Sequence, residues 1–286
     1  MYVRRSGIAM LLTLFFISAL MVLVAGYIRL TDVFPRSGHY YQNIAEDGML
    51  LKELMKILGR YKIKNSAQLD YLLIETPMIG NEDGSFMVSF EVDNPQSRIN
   101  INLAATKSAG KFLSTIIFRL ASQYQVTDPQ LLLNLIKDSI DPDMLERQHG
   151  SEISLIDGRF QSGPIGSYRR FSYILERYYE LSGDENVYHI PWRDVFTFSD
   201  RLDLIFDCER ATPEAKRALD VEEESDLCAL AQTAQFKAIA KALSIQKFSK
   251  KKSYIIHVQA RYVVDQHVRD LRLQYDVVKG RVERID

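Results

Sequence analysis

Few residues in this chain have the type and spacing to do chemistry. Asp138, Asp141, Asp143 and Glu152 fall close together, and their oxygens suit a hard cation such as Ca²⁺, which wants about six or more oxygen ligands. The same four residues read more simply as the polar loop at a helix end. Cys208 and Cys228 are the only cysteines. They can pair in an oxidising compartment or remain two free thiols, and neither belongs to a Cys-x-x-Cys motif that would support redox catalysis. His39, His149, His189, His257 and His267 are scattered, with no His-x-x-x-His pair to set two ligands on one helical face. His257 and His267 read as a solvated strand face, the lesser alternative being an approach across a hairpin. There is no Gly-x-Ser-x-Gly, no phosphate-cradling glycine loop and no carboxylate pair spaced for acid-base work. The sequence nominates no catalytic residue, and the chain reads as a non-enzyme.

The elements that position these residues follow from periodicity. Ser85 to Val92 alternates between apolar and polar positions, with Phe86, Val88, Phe90 and Val92 on one face, which predicts a half-buried strand. Tyr254 to Val264 and Leu271 to Val277 alternate in the same way. Turns at Asp265-Gln266-His267 and Lys279-Gly280 then make the C-terminal block an antiparallel meander ending in Arg281 to Ile285. Between these strands the pattern is helical. Ile116, Ile117 and Leu120 recur in one segment, and Leu131, Leu132, Leu135 and Ile136 in the next, which Asp128 caps and Pro129 opens. Further helical zones run from Tyr168 to Gly183 and from Ser225 to Leu243. Helices that interrupt a sheet in this order predict an α-helical insertion within an α+β domain rather than βαβ units. Glu222-Glu223-Glu224 is a solvated acidic patch.

Composition narrows the classes. Of 286 residues, 47% are hydrophobic and 26% charged, which excludes a disordered or multi-span protein. A net charge of -1 offers no electrostatic basis for nucleic acid. One segment departs from the average. Ile8 to Ile28 is uncharged, and its 21 residues as a helix reach about 31 Å, enough to cross a bilayer once. Arg4 and Arg5 precede it without an acid, so the positive-inside rule leaves the N-terminus in the cytoplasm and the rest outside. A cleaved secretory signal is the alternative, with Val24-Ala25-Gly26 as a weak cleavage site. Pro35 then breaks the helix. Ile44, Leu51, Leu54 and Leu58 form an apolar stripe ending at Gly59, either a helix laid on a globular domain or a plain signal-anchor stalk.

Arg4-Arg5-Ser6-Gly7 before Ile8-Ala9-Met10-Leu11-Leu12 resembles a type IV prepilin-like leader. The resemblance implies cleavage by prepilin peptidase between Gly7 and Ile8. Leu12 stands where most members carry Glu, and the K-type minor pseudopilin of the type II secretion system, general secretion pathway protein K, is known for that absence. Three further stretches resemble it in order. Val92 to Leu103 is similar to an acidic turn followed by an Asn-x-Asn-Leu strand. Leu132 to Asp143 with Gly150-Ser151-Glu152 is similar to a helix ending in an Asp-rich loop, and Phe171 to Phe198 to a helix-Gly-helix element turning at Leu181-Ser182-Gly183. Departures fall at Ser139 and through Lys62 to Met78.

The resemblance implies an α+β fold with an N-terminal transmembrane helix, a pilin-like helix on an antiparallel sheet and an α-helical insertion domain. The divisions it suggests are 1–7 leader, 8–28 span, 29–103 pilin-like helix and first strands, 104–198 helical insertion, and 199–286 return to the pilin-like domain. It also implies calcium in the helical domain, and partners comprising other minor pseudopilins, the secretion machinery, prepilin peptidase and the inner membrane, with no nucleic acid. The expected location is the bacterial inner membrane, single-pass, with a periplasmic C-terminal domain. The rival expectation is an uncleaved bitopic membrane protein with a scaffold or sensor ectodomain. An anchored hydrolase would require residues distant in sequence to converge.

Overall fold

Alternation at the C-terminus builds the sheet. In the computed structural model, which describes residues 52, 63, 65–74, 79–80, 86–249, 251–264 and 267–285, five strands lie in the order β1-β2-β7-β8-β9. They are β1 (Ile79–Gly80), β2 (Phe86–Asp93), β7 (Ile255–Val264), β8 (His267–Asp276) and β9 (Arg281–Ile285). Every pairing in this sheet is antiparallel, with β2 against β7 throughout its length from Phe86↔Val264 to Asp93↔His257. The strand and meander expectations therefore agree with the structure to within a residue at most ends. Tyr254, Ile256, Val258 and Ala260 are buried while His257, Gln259 and Arg261 are not, the period-2 pattern of a sheet with one packed face. Asp276, assigned by alternation to the polar face, is fully buried. It accepts from the amides of Val278 at 3.0 Å and Lys279 at 3.1 Å, so its carboxylate shapes the turn into β9.

The helical body packs around one apolar core. Among the described residues the longer helices are α1 (Ser66–Ile74), α2 (Gly110–Gln123), α3 (Pro129–Ile140) and α4 (Tyr168–Ser182); the last three supply this core, while α1 buries Leu69 and Leu72 outside it. Asp128 caps α3 by accepting from Leu131 N at 2.9 Å, with Pro129 in the first turn, where a missing N–H costs nothing. Leu131, Leu132, Leu135 and Ile136 are buried as their spacing predicts. Gly183 closes α4 at φ 70°, a left-handed cap that glycine adopts without a Cβ penalty. A β-carbon on Gly110 would come within 2.7 Å of Ala104 O, so α2 begins where only glycine fits. The aromatic centre is Phe171 against Trp192, centroids 5.0 Å apart, with the Trp192 indole donating to Val187 O at 2.8 Å.

Short elements complete this body. They are β3 (Ile99–Asn100), α5 (Trp192–Val195), β4 (Phe196–Thr197), β5 (Phe206–Asp207), α6 (Pro213–Ala218), α7 (Leu227–Leu230), α8 (Lys237–Ala242) and β6 (Ile245–Gln246). β3 pairs with β4, and β5 with β6, both in parallel. Phe206, Cys208, Leu227 and Ile245 share the core with Ile99 and Phe171, so the body draws on residues beyond 198.

Two sequence expectations are corrected. The Asn-x-Asn-Leu stretch is a strand only at Ile99–Asn100 and then a 3₁₀ turn at Ile101–Ala105. Asn100 Oδ1 accepts from Asn102 N at 3.0 Å, offering the backbone a local alternative to the ladder. The single helix expected over Ser225 to Leu243 is two short ones. Thr233 Oγ1 donates to Leu230 O at 2.7 Å and accepts from Phe236 N at 3.3 Å, which turns the chain between them.

The leader, the apolar run, Pro35 and the stripe from Ile44 to Leu58 lie outside the described residues, Lys52 aside. Among the described residues no helix is long and apolar enough to cross a membrane.

Candidate functional site

Asp138, Asp141, Asp143 and Glu152 do not converge. Helix α3 ends with Asp138 fully buried, and the following loop brings back Arg147, whose guanidinium pairs with Asp138 and lies 2.7 Å from Asp141 Oδ2. Arg147 N also donates to Asp138 Oδ2 at 3.0 Å, and Ser151 Oγ donates to the same oxygen. Asp143 accepts from Leu145 N at 2.8 Å and donates its own amide to Asp141 Oδ1 at 3.4 Å. Glu152 is fully buried, accepts from the Ser154 and Ser162 hydroxyls, and keeps Oε2 without a partner among the described residues. Within this set, that orphaned oxygen is the feature that would welcome a cation. The set as a whole does not fit calcium: among the described residues no three His, Cys, Asp or Glu groups could hold a metal, and Arg147 supplies the positive charge that Asp138 and Asp141 require. The hydrogen bond from Arg147 holds the Asp141 carboxyl below its ordinary range.

A second acid cluster, which sequence reasoning missed, lies on β5. Asp207 is fully buried. Its Oδ2 accepts from Arg210 Nη1 and from Tyr254 Oη, each at 2.7 Å, and Tyr254 Oη in turn accepts from Asn94 Nδ2 at 2.8 Å. Arg210 Nε reaches Asp70 Oδ1 on α1 at 2.7 Å, and its Nη2 donates to Ser66 O at 3.0 Å. Burial works to lower Arg210, and its hydrogen bonds to Asp207 and Asp70 outweigh that, leaving it raised. Burial first, and then the neighbouring Asp207 charge, push the Tyr254 phenol up. Cys208 follows Asp207 directly and is joined by a disulfide to Cys228 on α7, with Cα atoms 5.1 Å apart and both residues buried. The readable signal was Asp207-Cys208-Glu209-Arg210, whose acid and base stand at i and i+3.

Among the described residues the histidines join no metal-binding group. His257 lies opposite Gln274 and His267 opposite Val264, seven register steps apart, so the pair does not meet across the hairpin. His149 and His189 are exposed. Gly7, Ile8 and His39 lie outside the described residues.

A cleft of about 410 Å³ opens between the polar face of the sheet and the helical body. Glu91, Gln259 and Arg272 form one cross-strand row on the sheet wall, and Asp93, His257 and Gln274 the next. Tyr168 and Arg193 face them from the body, with the Arg193 guanidinium 4.2 Å from the centre of the Tyr168 ring. Arg98 lies between the walls, paired with Asp93 and donating to Arg193 O at 3.0 Å.

No family model matches the sequence, and no curated protein matches it. A solved structure does. A chain of the crystal structure of the GspK-GspI-GspJ complex from the enterotoxigenic Escherichia coli type 2 secretion system aligns with a TM-score of 0.62. The alignment covers 88% of this chain and 98% of that one at 11% sequence identity. The fold is pseudopilin-like. At that identity the match speaks to the arrangement of helices and strands. The side-chain clusters above are this chain's own geometry.

Proposed function

We propose that this chain is a minor pseudopilin of the K type, at the tip of a type II secretion pseudopilus. The observation that carries the proposal is the shared fold over 98% of a chain of the GspK-GspI-GspJ complex. Two features of the sequence support it: the basic leader ending in Gly7, and the absence of an acid from Ile8 to Thr31. An intramembrane carboxylate is costly unless paired. A subunit without one has no charge with which to meet the amine of a neighbouring subunit's helix, which suits a terminal place in a filament.

In this reading the apolar run holds the chain in the bacterial inner membrane, prepilin peptidase cuts between Gly7 and Ile8, and the ectodomain is periplasmic. The helical body stands beside the sheet and blocks addition of a further subunit. Other minor pseudopilins are the partners, and together they start the filament that exports proteins across the outer membrane. The role is structural and assigns no catalytic residue. The test is the mature mass of the chain in cells with and without prepilin peptidase. The expected result is loss of residues 1–7 only where the peptidase is present. An unprocessed chain in both strains would overturn the proposal and leave an uncleaved bitopic scaffold.

A further inference from the structure

We infer that the cleft between the sheet and the helical body binds an acidic peptide segment of a partner protein. The inference goes beyond the proposed function and holds whether or not that reading does. Its basis is an imbalance of charge. Arg98 and Asp93 satisfy one another, whereas Arg193 and Arg272 have no acid partner among the described residues and both line the cleft. Opposed to them is one further acid, Glu91.

The two arginines are held differently. The Arg193 guanidinium carbon lies 4.2 Å from the centre of the Tyr168 ring, a cation–π contact that leaves its N–H groups for a ligand. Arg272 stands on β8 opposite Gln259, so its base is set by the sheet. A planar fork on a rigid element is the geometry that recognises carboxylates bidentately. Helix α4 begins at this wall after Ser167, and its positive end adds to the same field.

Other lining groups select a peptide over a polyanion. Gln259 and Gln274 carry amides that can both donate to and accept from a peptide backbone. The chain's net charge of -1 gives no long-range attraction for nucleic acid. A volume of about 410 Å³ is within the usual range for ligand pockets.

The experiment uses the full chain in detergent micelles and fluorescence anisotropy with a labelled peptide of alternating glycine and glutamate, beside its glutamine counterpart. The glutamate peptide is expected to bind at least about tenfold more tightly. Arg193→Gln and Arg272→Gln should each weaken it about tenfold at an unchanged melting temperature, since both side chains are exposed. Glu91→Gln should strengthen it, and Arg272→Glu should abolish it. Equal affinity for the two peptides, retention of binding in both arginine variants, or displacement by inorganic phosphate at matched ionic strength would each overturn the inference.

Discussion

Arg147 and Arg210 both sit among carboxylates, and the two clusters differ in reach. Arg147 gathers Asp138 and Asp141, nine and six residues away, and its side chain remains 38% exposed. Arg210 gathers Asp207 from three residues away and Asp70 from across the fold, and is 10% exposed. The first cluster closes a loop on itself. The second ties α1, β5 and the start of β7 together, with the Cys208–Cys228 disulfide beside it. A charge cluster of the first kind orders a segment, while one of the second kind is part of what holds elements in place. The contrast follows from desolvation: buried charges must be matched almost completely, and exposed ones share the task with water.

That contrast can be broken at its strongest point first. Arg210→Ala leaves Asp207 buried with its cation gone, and chemical unfolding of the purified chain should show a loss of about 3–5 kcal/mol. A loss below about 1 kcal/mol would mean that the long-range cluster is no stronger than a surface pair. Replacing Cys208 and Cys228 together by serine removes a cross-link of sequence separation 20 and should cost about 3 kcal/mol. No change on reduction with dithiothreitol would show that the bond adds nothing beside the Arg210 cluster.

Arg147→Ala should cost less, about 1–3 kcal/mol, because the guanidinium is partly solvated although Asp138 is not. Calcium or EDTA should leave the melting temperature of the unmodified chain in place, and a calcium-induced rise would show that the loop takes a metal despite Arg147. The smallest effect is a titration. Arg147 depresses Asp141, so this pair's contribution is fully present above the ordinary carboxylate value of about 3.9 and is lost as pH falls through the lower folded value. In Arg147→Ala the Asp141 carboxyl should titrate higher by carbon-detected NMR. An unmoved Asp141 would detach it from the cluster.

The strands were legible because a two-residue period survives wherever one face of a sheet is buried, as at Tyr254, Ile256, Val258 and Ala260. Helices α3 and α4 were legible through Asp128-Pro129 and Gly183, whose effects act within one turn. Asn102 was read as strand and lies in a 3₁₀ turn. Its side chain bridges distant segments, with Nδ2 donating to Ile165 O at 2.9 Å and to Ser199 O at 2.8 Å. No local pattern announces such a bond. The Asp-rich loop admitted two readings, a cation site and a polar helix end, and the structure has the second, with Arg147 of the same loop as the positive charge.

The sequence by itself determined the charge balance, the apolar run, the meander and the presence of helices between its strands, because these depend on composition and on periods of two to four residues. Tertiary structure alone decided that Asp70 meets Arg210, where the two cysteines stand, and that a polar cleft opens between sheet and body. Those outcomes depend on segments such as Asp70 and Arg210 that come into contact only when the whole core closes, and no short window of sequence contains both halves of the contact.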